Sequence, residues 1–166
     1  MPPLIIDAQE IILAVENHDP LQRHYLDRES GEVVSLHEDY STEDEWEPLD
    51  IDPDRYLRIE PLASSDSYAV MRDFVETLPQ GRVQAELMLA LDSRKPFRRF
   101  KETLLKYPTV REAWFDFHEQ AGVALAQDWL KAYQIDAVVR RLTPAEIEAR
   151  FRPRQAPTRS RGLLLT

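Results

Sequence analysis

PFRRFKETLLKYPTVREAWFDF, residues 96–117, is the densest run of aromatics in the chain, and cations are interleaved through it. Phe97, Phe100, Leu104 and Leu105 form a helical stripe. Pro96 suits a first helical position, and Tyr107-Pro108 stops the helix because a residue before proline is driven out of helical geometry. Thr109 caps the next helix. Its face runs Val110, Trp114, Phe117, Ala121 and Leu125, and a second strip adds Phe115, Trp129 and Leu130. A helix buried on two sides is expected to be the spine of a bundle, with Gly122 its weak point. Large aromatics bury the most apolar area per residue, so this span is expected to centre the core.

Two further helices precede it. One is capped by Ser64 or Ser65 and runs to about Leu78, with Tyr68, Met71, Val75 and Leu78 on one face. Pro79-Gln80-Gly81 ends it, and the next carries Val83, Leu87 and Leu91 at spacing four. Upstream lie strand signals: Tyr25-Leu26-Asp27, a loop closing on Gly31, then Val33 to Leu36, with Gly31 supplying the positive φ of a hairpin turn. Arg55 to Glu60 alternates as a third strand. At the N-terminus Asp7 caps a helix reaching about Asn17, with Glu10 three residues on and Ile6 stapled to Ile11. Thr143-Pro144-Ala145-Glu146 is another capping box, opening a short helix to about Phe151. The fold class is α+β: an N-terminal helix, a three-stranded antiparallel sheet and a C-terminal bundle of about four helices. Residues 1–137 form the domain, and 138–166 add the short helix and a basic, mobile tail.

Apolar residues make up 43% and charged ones 31% of 166 residues, the balance of a soluble globular chain long enough for a real core. With no cysteine, disulfides and Cys-type zinc sites are excluded, which permits a reducing cytoplasm. Apolar runs such as Ile11 to Val15 are far too short to span a bilayer. The net charge of -9 is unevenly spread: residues 1–79 hold 20 acids and 5 bases, while residues 138–166 hold 2 acids and 7 bases. Nine acids and no Lys or Arg lie between Glu38 and Asp54, where mutual repulsion predicts an exposed acidic loop with a short helix near Trp46.

Tyr25-Leu26-Asp27 with Gly31-Glu32-Val33, Pro53 to Ile59, Phe74 to Pro79, Phe97-Arg98-Arg99-Phe100-Lys101 and Tyr107-Pro108 occur in order. This set resembles the bacterial uncharacterised protein family numbered 0158, over roughly residues 4 to 135. The resemblance implies a small cytosolic acidic protein and carries no established activity. Gln80-Gly81-Arg82 stands where the family usually begins its second helix with acids, and the segment after 138 has the character of an addition.

No catalytic constellation stands out. Ser64, Ser65 and Ser67 lie near Asp66, but no Gly-x-Ser-x-Gly elbow surrounds them, and capping accounts for them better. Asp50, Asp52 and Asp54 alternate like a calcium loop, yet Pro53 and Arg55 interrupt it and Pro61 occupies the twelfth position. His18, His24, His37 and His118 lack ligand spacing, so neither metal nor cofactor is expected. The function read from the sequence is therefore a non-enzymatic protein-interaction or regulatory module. Its acidic loop, Glu43, Asp44, Glu45, Trp46 and Glu47, would meet a basic protein partner. The cationic face Arg94, Lys95, Arg98, Arg99 and Lys101 is the candidate anion contact, with the acidic segment as its expected partner within the chain. Two alternatives stand beside it: a nucleic-acid-associated protein using that face with the Arg-rich tail, and an enzyme of unrecognised type, whose mark would be a pocket where ionisable groups converge from separate elements.

Overall fold

Asp7 is the first junction of the chain. Its backbone ends β1 (Leu4–Asp7), and its carboxylate accepts from the Glu10 amide at 3.2 Å, capping α1 (Ala8–Glu16) as the sequence predicts. The computed structural model describes residues 2–151, so the basic tail read at 152–166 lies outside the described residues.

β2 (Gln22–Asp27), β3 (Val33–His37) and β4 (Tyr56–Ile59) form the expected antiparallel sheet in the order β3-β2-β4, with Tyr25 opposite Val34 and Arg58. Gly31 has φ +79°, and a Cβ there would lie 2.6 Å from the Ile5 carbonyl oxygen, so the turn needs glycine both for its conformation and for the closeness of β1. The acidic segment is more ordered than a loop. Glu43–Ile51 forms α2, opened by a box in which the Glu45 carboxylate accepts from the Thr42 amide at 3.1 Å and anchored by buried Leu49. Acids in its first turn complement the helix dipole, which offsets part of their mutual repulsion.

α3 (Ser64–Thr77), α4 (Arg82–Leu91), α5 (Pro96–Leu104) and α6 (Pro108–Ala132) supply the four helices of the bundle. α6 is unbroken at Gly122. Its 25 residues span roughly 37 Å at 1.5 Å each, and it serves two cores. Trp114 joins Met71, Phe74, Val75, Leu87, Leu91, Phe100 and Leu104 in one cluster. Ala126 and Leu130 join Ile6, Ile11, Leu26, Ile59 and Val139 in the other. Phe100 is fully buried edge-on to Trp114, ring centroids 4.9 Å apart, as the stripe predicts. Two neighbours depart from that expectation: Phe97 is 38% exposed and Phe115 48% exposed, the latter covered on one side by the Arg111 guanidinium.

After α6 the chain forms β5 (Ala137–Arg140) and α7 (Pro144–Phe151). β5 runs parallel to β1, Ile6 opposite Val139, in a second sheet that the sequence reading lacks. The division drawn after residue 137 falls inside this strand. Gln127 of α6 binds the outer edge of β5, donating to the Ala137 carbonyl at 3.2 Å and accepting from the Val139 amide at 2.9 Å.

Candidate functional site

Among the described residues, the acidic and basic groups singled out by the sequence do not come together. Glu43, Asp44 and Glu45 are exposed on the first turn of α2, and the side chain of Glu47 is outside the described part. Trp46 is half-buried, with the Arg23 guanidinium 5.6 Å from its ring centroid, so it is held against β2 and does not project as a free anchor. Arg94 and Lys95 precede α5, Arg98 pairs with Glu102 at 2.9 Å one turn on, and Arg99 and Lys101 are exposed. Among the described residues no ion pair links these cations to segment 38–54, which corrects the expectation that the two neutralise each other. Nor do rings stand ready to stack bases: Phe100 is in the core and Phe97 turns to a cleft.

That cleft, about 270 Å³, lies where the two cores meet, between α1, α3, α5 and α6. Gly122 creates it. A Cβ at this position would lie 2.6 Å from Ile12 Cγ1, so glycine lets α1 lie directly against α6. One turn along each helix from that contact, Glu16 meets His118, whose Nε2 donates to Glu16 Oε1. His118 also packs on Trp114 at 5.2 Å between centroids, and Trp114, His118, Gly122 and Leu125 form one wall. Val15, Leu62, Val70, Met71 and Phe97 make the remaining lining largely apolar.

Polar groups reach the cleft from four segments: Glu16 and His18, Ser64 and Ser67, Lys101, and His118. The serines arrive there because they do not cap α3. Ala63 occupies the cap position without a side-chain acceptor, so Ser64 and Ser67 lie within the first turns. Among the described residues neither hydroxyl has a hydrogen-bond partner. The expectation that capping accounts for these serines is thus corrected. Glu16 carries no distinguishing sequence signal, and its partner is 102 residues away. The legible clue was a glycine in the middle of a long amphipathic helix. An apolar lining with a few converging polar groups is the usual form of a small-molecule site.

The other histidines have structural surroundings. His24 is buried and shares a 2.7 Å hydrogen bond with Ser35, and burial lowers its pKa. His37 lies 3.7 Å from Asp19 and packs on Tyr40. Among the described residues no three His, Asp or Glu side chains gather as a metal-ligand set. Arg55 pairs with the buried Asp27, bidentate at 3.1 and 2.9 Å beside the hairpin turn. Burial would raise the Asp27 carboxyl, but the Arg55 guanidinium and the Glu29 and Ser30 amides outweigh it and hold it at about 2.

Fold and site together define an α+β protein with two small sheets, a helical bundle, and a ligand-sized cleft under the helix that both cores share. The chain belongs to the Uncharacterised protein family (UPF0158), which matches residues 1–149 and so takes in β5 and most of α7, beyond the stretch from about residue 4 to 135 that the resemblance covers. It is similar to the UPF0158 protein PA5073 of Pseudomonas aeruginosa, 33% identical over 140 residues that make up 84% of this chain and 90% of the relative. No solved structure matches. Among the described residues no helix is long and apolar enough to cross a membrane.

Proposed function

We propose that this is a small-molecule-binding protein whose site is the cleft between α1, α3, α5 and α6. One observation carries the reading: Glu16, His18, Ser64, Ser67, Lys101 and His118 converge from separate elements on an otherwise apolar pocket. An NMR fragment screen tests it. Hits are expected to move the Trp114 indole and Met71 methyl signals while leaving Trp129 still, and Ser67→Phe, which fills the cleft from a half-buried position, is expected to abolish them. Hits that ignore Trp114 and survive Ser67→Phe would refute it.

A second reading keeps the protein-partner role and a cytoplasmic setting. It is favoured by the first turn of α2, where Glu43 and Asp44 are exposed and, among the described residues, unpaired with any cation. With Trp46 held by Arg23, recognition there is electrostatic and the partner basic. Co-purification from native extract that is lost in Glu43→Lys/Asp44→Lys supports it, and capture unchanged by that double reversal counts against it.

A further inference from the structure

Resting on the cleft as the binding site, we infer that its ligand is a compact amphipathic carboxylate, its apolar body against Met71, Phe97 and Trp114 and its head group at Lys101. The charges around the cleft carry this. Glu16 is engaged by His118, whereas Lys101, among the described residues, has no ion partner. Arg94 and Lys95 precede the same helix and are also unpaired among the described residues, while Arg99 faces a separate groove with Glu86 and Glu102. On the α5 side the cleft is therefore lined by a cation without an ion partner, on a chain whose net charge is -9.

Among the described residues Lys101 is the one Lys or Arg lining the cleft, so its single charge can neutralise a carboxylate, whereas a phosphate dianion would keep a second charge unmet beside Glu16. Ser64 and Ser67 add hydroxyl donors from the facing helix. Size sets the body. An engineered apolar cavity of about 150 Å³ holds benzene, so about 270 Å³ takes one ring with a short chain.

The test titrates 4-phenylbutyrate, 4-phenylbutanol and 4-phenylbutylamine into the full chain at low ionic strength, following the Trp114 indole. The acid is expected to bind about tenfold or more tightly than the alcohol, the range of one charge-assisted hydrogen bond, with the amine weakest. Lys101→Met, at an exposed position, is expected to erase the acid's advantage over the alcohol. Equal binding of acid and alcohol, tightest binding of the amine, or an advantage that persists in Lys101→Met overturns the carboxylate inference while leaving the cleft as the site. No perturbation of Trp114 by any of the three overturns both.

Discussion

Gly122 and Gly31 show how much rests on the absence of a single Cβ. At Gly122 the added methyl meets the side chain of Ile12, so Gly122→Ala is expected to cost about 1–3 kcal/mol as an overpacking change, read from urea midpoints. Because the clash is with that side chain, the cost is expected to shrink in an Ile12→Ala background, and strict additivity in the double-mutant cycle would contradict the contact. At Gly31 the obstacles are its own positive φ and the Ile5 backbone of β1, and no neighbouring truncation is expected to rescue Gly31→Ala. Phe100 was readable as core, and Phe100→Ala is expected to cost about 3–5 kcal/mol. Phe97 lies on the same stripe and was not readable, since periodicity gives the face of a helix but not how far its neighbours cover that face.

At the scale of elements, helices announced themselves through caps and 3.6-residue periodicity, and the hairpin through its turn. The β1–β5 pair did not. Each strand has four residues, β1 reads as the approach to a helix, and their pairing is parallel across nearly the whole chain. It is nonetheless fastened from several sides: the Leu142 amide donates to Asp7 at 3.1 Å, Arg150 donates to the Ile5 carbonyl at 2.6 Å, and Gln127 binds the free edge. Gln127→Ala leaves a backbone donor and an acceptor of β5 without that partner, and an expected loss of about 1–3 kcal/mol in chemical denaturation checks its role. Truncation after residue 136 is expected to lower the melting temperature further, because it also uncovers Ile6 in the core.

For the whole molecule, two buried groups contribute to the acid response at different pH. The fold keeps His24 neutral by burial, lowering its pKa from near 6.5, whereas the unfolded chain protonates there. Stability is therefore expected to fall as pH drops below about 6.5, until the folded pKa is passed. Asp27 acts lower: held at about 2 against an ordinary 3.8, it stabilises fully above 3.8 and loses that contribution as pH falls toward 2. Glu10, raised by burial and by Asp7, works in the opposite sense and stabilises on protonation. Urea midpoints from pH 8 to 2.5 are expected to show His24→Gln flattening the upper decline and Asp27→Asn shrinking the lower one, which Glu146, held at about 2 by Arg140 and Thr143, shares; Asp27→Asn costs about 2 kcal/mol near neutrality. A profile unchanged by either variant would reject these assignments. The amino-acid sequence by itself determined the helices, the antiparallel hairpin, the buried Phe100 and the glycine turn, because capping, periodicity and turn chemistry act between residues a few positions apart. Only the tertiary structure decided the parallel sheet, the exposure of Phe97, the separation of the acidic and basic faces, and the cleft with its Glu16–His118 pair. Those depend on groups far apart in the chain meeting through close packing, 102 residues for Glu16 and His118 and more for β1 and β5, and no local rule encodes which distant side chain arrives.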